Sequence, residues 1–339
     1  MTHRFPLKEI ARQSGLGTAT VDRVINHRAH VSPQTRARVL AAIDELSRQE
    51  AQLSARGRRM FFDFVIEAPT RFSREVRAAV EAILPEVTSA VCRPRFLMQE
   101  VMNPDEVSTA LRRIVKRGSQ GVCLKARDLP AIRESVDLLV NAGIPVVTLV
   151  TDLTGSSRLA YVGLDNQTAG RTAAYLMGQM LGTRAGSVLA TTSNTRFLGE
   201  EERQTAFTQS LASLCPNLRI VDASGGSGIA YETARAVGDV IDKLGDICAV
   251  YSMGGGNQTI TQLLDRNNLR PHIFIAHDLD QDNRSLLQMG KINFVLHHDL
   301  YQDMHNVFRA FLHHHKLGPA CAERMLTNIQ LVTPANLPS

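Results

Sequence analysis

No tryptophan occurs in this 339-residue chain, and that absence alone excludes nothing. Other absences decide more. The five cysteines (Cys92, Cys123, Cys215, Cys248 and Cys321) are odd in number and scattered, with no C-x-x-C pair, which predicts buried, reduced thiols in a cytosolic protein. No apolar run approaches the roughly 20 residues that cross a bilayer. The N-terminal MTHRFPLKEIARQ has no apolar signal region, so the expected location is cytoplasmic, with no membrane partner. No G-x-S-x-G, H-E-x-x-H or paired-carboxylate spacing supports catalysis, and no catalytic residue, cofactor or metal is expected. With 44% hydrophobic and 21% charged residues the chain is neither disordered nor collagenous, and it is long enough to bury sizeable cores.

What is present is unevenly placed. Residues 1–60 hold 11 Lys and Arg against 5 Asp and Glu, whereas the remainder holds 27 against 28. A basic head on a nearly neutral body suggests a polyanion-binding module joined to something else, although charge alone is equally compatible with a solvated basic surface. The head reads as three short helices. PLKEIARQS carries Leu7, Ile10 and Ala11 at helical spacing and ends at a Gly15–Gly17 turn. The stretch from Thr18 to Asn26 puts Val21, Val24 and Ile25 on one flank and Thr18, Ala19, Asp22, Arg23 and Asn26 on the other. A third helix starts at Ser32 as N-cap and Pro33, with Val39, Leu40, Ile43 and Leu46 as its apolar stripe. Two short helices about a glycine turn, followed by a bracing helix, form a helix-turn-helix. Residues 48–59, RQEAQLSARGRR, read as a polar, basic linker.

From Phe61 short apolar runs alternate with helical stretches, beginning with strand FFDFVIEA and helix SREVRAAVEAIL and closing with strand INFVLHHD. Some ten strands over this length call for two parallel sheets, hence two lobes with a cleft between them. GGSG (Gly225–Gly228) and GGGN (Gly254–Asn257) lack G-x-G-x-x-G spacing and read as tight turns rather than phosphate loops. HHHK (His313–Lys316) fans its histidines around a helix end, which favours solvation over a metal.

The exposed flank of the second helix suits a DNA major groove, where Arg23 could fork to guanine O6 and N7 while small neighbours allow close approach. The run LKEIARQSGLGTATVDRVINHRAHVSPQTRARVLAAIDEL resembles the DNA-binding head of the lactose-repressor (LacI/GalR) family of bacterial regulators. That family's usual pattern is L-x-D-V-A-x-x-A-G-V-S-x-x-T-V-S-R-V-L-N followed by V-S-x-x-T-R-x-x-V. The likeness extends over the body, and NIQLVTPANLP is similar to the family's usual ending. It implies an α/β protein with an all-α helix-turn-helix head and a two-lobed, type I periplasmic-binding-protein-like α/β/α ligand domain. The implied boundaries are 1–47 for the head, 48–60 for the hinge and 61–339 for ligand binding and dimerisation.

The resemblance implies a repressor that reads pseudo-palindromic operator DNA as a homodimer, with a tetramer as the alternative, under control of a sugar or polyol. The DNA-facing residues would be Thr18, Ala19, Thr20, Asp22, Arg23, Asn26, His30 and Leu53. Three departures stand out. Gly17 replaces a phosphate-contacting Ser. Asp22 replaces another Ser, and either holds Arg23 or another cation or accepts from a cytosine amine. In the linker, Glu50 and Ala51 stand where the family has Pro-Asn, and Gly57 where it has the leucine that wedges into the minor groove. Either Leu53 serves instead, or the hinge carries no wedge. The ligand positions carried over are Phe72, Asp152, Arg203, Ser252, Met253, Asp278 and His298, with Phe72 suited to stack on a sugar ring and the charged groups to fork onto hydroxyls. The rivals are a cytosolic α/β enzyme with an incidental basic head, which has no need of GLGTATVDRVIN, and a sugar-binding transport component, against which the missing signal sequence argues.

Overall fold

The computed structural model describes residues 4–28, 31–55 (51–55 as backbone only), 59–193, 197–244 and 246–338. His30 and Gly57 lie outside the described residues, as does the side chain of Leu53.

The head is built from α1 (Leu7–Ser14), α2 (Thr18–Ile25) and α3 (Pro33–Ala55). Gly15 ends α1 in the left-handed conformation, and Ser32 Oγ caps α3 by accepting from Thr35 N at 3.1 Å. Ile10, Ala11, Val21, Val24, Val39 and Leu46 close a small core around Phe5. α3 runs past the expected linker start at Arg48 as far as Ala55. The local reason is composition: RQEAQLSA holds no Gly or Pro and several strong helix formers, and the family's Pro-Asn break is absent.

The body begins with β1 (Arg59–Glu67), α4 (Thr70–Ile83), β2 (Val91–Gln99), α5 (Pro104–Arg117), β3 (Gly121–Lys125), α6 (Pro130–Asn141), β4 (Val146–Leu149) and β5 (Ala160–Leu164). It continues with α7 (Asn166–Leu181), β6 (Gly186–Thr191), α8 (Leu198–Leu214), β7 (Leu218–Asp222), α9 (Ala230–Ile241), β8 (Ile247–Ser252), α10 (Asn257–Arg266), β9 (Ile273–His277), α11 (Gln281–Gln288) and β10 (Phe294–His297). Beyond the alternation legible in the sequence, where only a helix end at His313–Lys316 is marked, come α12 (Leu300–His314), β11 (Arg324–Thr327) and β12 (Gln330–Val332).

Two six-stranded sheets result, in the orders β2-β1-β3-β4-β5-β11 and β7-β6-β8-β9-β10-β12. The first is parallel throughout; in the second, β12 runs antiparallel to β10. The central strands are buried on both faces, as parallel sheets covered by helices require. In the first lobe α4 and α12 cover one face, where Phe62 stacks on Phe311 with ring centroids 4.9 Å apart, and α5 and α6 cover the other. In the second lobe α7 and α8 cover one face and α9, α10 and α11 the other.

The chain passes between lobes three times, after β5, after β10 and after β11. α12 thus returns to the first lobe and β12 to the second, so each lobe is completed by late segments. Among the described residues no helix is long and apolar enough to cross a membrane.

Candidate functional site

In the head, Thr18, Ala19, Arg23 and Asn26 are exposed on α2, Thr20 and Asp22 are half-buried, and Val21 and Val24 pack inward. Asp22 lies 3.2 Å from Arg28 Nη1 and accepts from Asn26 Nδ2 at 2.8 Å. The cation it holds is therefore Arg28, not Arg23. Among the described residues the Arg23 side chain has neither ion pair nor hydrogen bond, so its planar fork of donors is free on the solvent side of a short helix. That is the arrangement a guanine edge needs.

In the body, both sheets aim the carboxyl ends of their strands at one cavity of about 490 Å³, where open α/β sheets hold ligands. The first lobe contributes Glu67, Phe72, Lys125 and Thr151; the second contributes Ser193, Phe197, Glu200, Arg203, Met253, His277, Asp278 and Asp280. Of the residues expected from the sequence, Phe72, Arg203, Met253 and Asp278 line this space.

Asp152, Ser252 and His298 do not line it, and each has a physical reason. Asp152 is engaged with Arg158, its oxygens 2.5 Å from Nε and 2.7 Å from Nη2, and it also accepts from Thr148 Oγ1 at 2.8 Å. Burial pushes its pKa up, but these donors outweigh burial and hold it below the usual carboxylate value. Ser252 is fully buried with its hydroxyl on the Gly255 carbonyl. His298 is buried behind Asp278, its Nε2 3.1 Å from Asp278 Oδ1 and its Nδ1 2.6 Å from Asp303 Oδ2.

Arg203 is buried, and three of its donors are already committed. Nε and Nη2 donate to Asn166 Oδ1 at 3.0 and 2.8 Å, and Nη1 to the Met253 carbonyl at 3.3 Å. Its place depends on a close helix pair. A Cβ at Gly170 of α7 would lie 2.2 Å from the Arg203 carbonyl oxygen of α8. Gly170→Ala is therefore expected to cost about 1–3 kcal/mol in urea unfolding by overpacking a backbone contact that cannot give way. An unchanged midpoint would mean that the two helices can part freely.

The other eight cavity residues named above are not legible in the sequence as site residues, and four of them carry distinct chemistry. Lys125 Nζ donates to the Glu67 carbonyl at 3.0 Å and stands 4.0 Å from the centroid of the Phe197 ring. Burial lowers its pKa, opposed by Glu200 and Glu67. A lysine closing the apolar strand GVCLK was the available signal. Glu200 accepts from Ser193 N and Oγ, both at 2.6 Å. His277 shares a 2.8 Å hydrogen bond with Tyr251 through Nε2, while Nδ1, buried at the cavity, has no partner among the described residues. Burial and then Arg203 hold its pKa well below the ordinary value, so the imidazole is neutral and can exchange hydrogen bonds with a hydroxyl. Phe197 gives no such signal, being an isolated apolar residue in a polar stretch.

A helix-turn-helix with a free arginine, carried on a two-lobed body around a polar and aromatic cavity, defines a class: a DNA-facing module on a small-molecule-binding fold. Residues 76–310 match the periplasmic binding protein domain family, and residues 6–47 match the bacterial regulatory proteins of the lacI family. The chain belongs to the periplasmic binding protein domain family and carries a lacI-family regulatory head. The HTH-type transcriptional regulator TreR of Escherichia coli (strain K12) is 31% identical over 163 residues, which cover 48% of this chain and 50% of that protein. The chain thus spans about half the length of that curated relative. GanP, a glucose-galactose binding protein from Geobacillus stearothermophilus, has a TM-score of 0.73 at 19% identity, covering 83% of this chain and 99% of its own. An ABC transporter solute binding protein from Burkholderia graminis C4D1M, solved in complex with D-arabinose, has a TM-score of 0.74 at 16% identity, covering 83% and 97%. At those identities the likeness is one of fold.

Proposed function

We propose that the protein is a cytoplasmic, homodimeric repressor that binds pseudo-palindromic operator DNA and answers to a neutral or weakly charged sugar or polyol in its interlobe cavity. In this reading residues 1–47 are the DNA-binding head, 48–60 the hinge and 61–339 the ligand-binding and dimerisation body. Its output is occupancy of DNA rather than a chemical product. The observation that carries the reading is the exposed, unpartnered Arg23 on α2 of a head whose body encloses a polar cavity. Phe72 supplies an apolar face for a sugar ring, and Asp278 and the open nitrogen of His277 supply hydroxyl partners. Ligand acts by binding two dimer conformations unequally, so it shifts the fraction competent for DNA.

A thermal-shift screen of the full chain against sugars and polyols, followed by gel-shift titration on operator DNA with and without the hit, tests the proposal. A hit that leaves operator affinity unchanged sinks it. Arg23→Ala is expected to weaken operator binding by about 1–3 kcal/mol and to relax preference at one base pair per half-site. Equal losses on operator and scrambled DNA would reassign Arg23 to a phosphate.

A further inference from the structure

Arg71 belongs to the first turn of α4, in the first lobe, yet its guanidinium is held by the second lobe. Its Nε stands 2.8 Å from Asp280 Oδ2, and its Nη1 donates to the Gly228 carbonyl at 2.8 Å. Asp280 is itself fixed, because its other oxygen caps α11 by accepting from Asn283 N at 2.8 Å. Gly228 ends the GGSG segment and Gly255 lies within GGGN, the two glycine-rich stretches whose spacing fits no phosphate loop.

Both glycines are shaped around the arginine. A Cβ on Gly255 would stand 1.8 Å from Arg71 Nη2, and one on Gly228 would stand 2.7 Å from the same atom. Each also has a positive φ, 83° and 64°, which glycine adopts without strain. Two turns far apart in sequence thus leave a slot the thickness of a guanidinium, closed at one end by a carboxylate and at the side by a carbonyl.

We infer that Arg71 is an interlobe latch: a planar plug from the first lobe seated in a glycine socket of the second, fixing the spacing of the lobes away from the crossovers. The geometry selects arginine. A lysine ammonium is a single point charge and cannot face the Asp280 carboxylate through one nitrogen and the Gly228 carbonyl through another. The role of the two glycine motifs follows, since bare backbone is what lets the plug enter. Arg71, Gly255 and Asp280 also line the cavity, so the latch borders the ligand space, and it is independent of the head.

The test measures lobe spacing in the full chain. Spin labels are placed on exposed positions of the two lobes, Leu138→Cys on α6 and Met289→Cys after α11, in a Cys321→Ser background, with labelled chains diluted into unlabelled ones. Arg71→Ala is expected to shift the interlabel distance to longer values and broaden it, and Arg71→Lys to do so nearly as much. Gly255→Ala is expected to open the lobes when Arg71 is present and to add nothing once Arg71 is alanine, since the two changes act on one contact. Asp280→Asn, which keeps an oxygen for the α11 cap, separates loss of the latch from loss of the helix start. A folded Arg71→Ala variant, checked by circular dichroism, with an unmoved distance distribution overturns the latch. Equal opening by Gly255→Ala in both backgrounds overturns the socket.

Discussion

Asp303→Ala is expected to cost about 3–5 kcal/mol of unfolding free energy, because it leaves a buried charged imidazole with half its support. His298 is 1% exposed, and Asp303 on α12 and Asp278 after β9 face it from either side. Burial disfavours its charge, yet the two carboxylates outweigh burial and raise its pKa to about 10. Asp278 answers in kind: burial pushes its pKa up, and His298 pulls it well below the usual carboxylate value. Asp303 Oδ1 also accepts from Thr327 Oγ1 at 3.0 Å, so the triad ties the second crossover to the end of β11, where the third begins.

The sign of the pH dependence follows. A raised imidazole pKa contributes stability that is complete below the unfolded value of about 6.5 and is lost as pH climbs toward the folded value. A depressed carboxylate contributes stability present above about pH 3.9 and lost as pH falls toward its folded value. The triad therefore supports the fold fully between about pH 4 and pH 6.5 and less on either side. Urea midpoints of wild type and His298→Gln should draw together between pH 6.5 and 10. A gap that holds constant over that range would mean that the folded imidazole is already neutral. Asp303→Asn, which can still accept from Thr327, isolates the lost charge from the lost hydrogen bond.

Most of the fold is legible in the sequence because its signals are local. Alternating apolar runs and helical stripes mark β1 to β10 and α1 to α11, and the Gly15 turn and Ser32 cap mark the head. β11 and β12 have four and three residues, too short for a period to show. α12 is different: Leu300, Met304, Val307, Phe308 and Phe311 form a stripe at helical spacing, hidden by its position directly after a strand ending in two histidines.

The cavity is harder to read, because side-chain engagement depends on partners distant in sequence. Asp152 and Asp278 look alike as acids at strand ends. One is engaged with Arg158, six residues on, while the other reaches the cavity with His298 behind it. Arg71 and Asp280 lie in different lobes, and no local pattern joins them. Lys125 and His277 stand at the ends of otherwise apolar strands, and their chemistry becomes visible only when Phe197, Glu67 and Tyr251 are placed beside them.

Arg203→Ala is expected to cost about 2–4 kcal/mol of stability before any ligand is considered. Family resemblance alone casts Arg203 as a ligand residue; the geometry gives it a structural share as well. Removing the guanidinium strips Asn166 Oδ1 of two donors and the Met253 carbonyl of one, in a region where Arg203 itself is 4% exposed. Asn166 opens α7 directly after the first crossover, and its amide also donates to the Val150 carbonyl at 3.3 Å. Losing Arg203 therefore loosens the first crossover and the end of β8 together. Two of the guanidinium's five N–H groups remain uncommitted, so a ligand hydroxyl can still be served by the same side chain. Arg203→Lys separates the two roles, since one ammonium keeps the charge at the cavity but cannot hold Asn166 and Met253 at once. The expected order of urea midpoints is wild type, then Arg203→Lys, then Arg203→Ala, with ligand-induced thermal shifts reduced in both variants. A wild-type midpoint for Arg203→Ala with the ligand shift abolished would assign the residue to the ligand alone. A lowered midpoint with the ligand shift intact would assign it to the crossover alone.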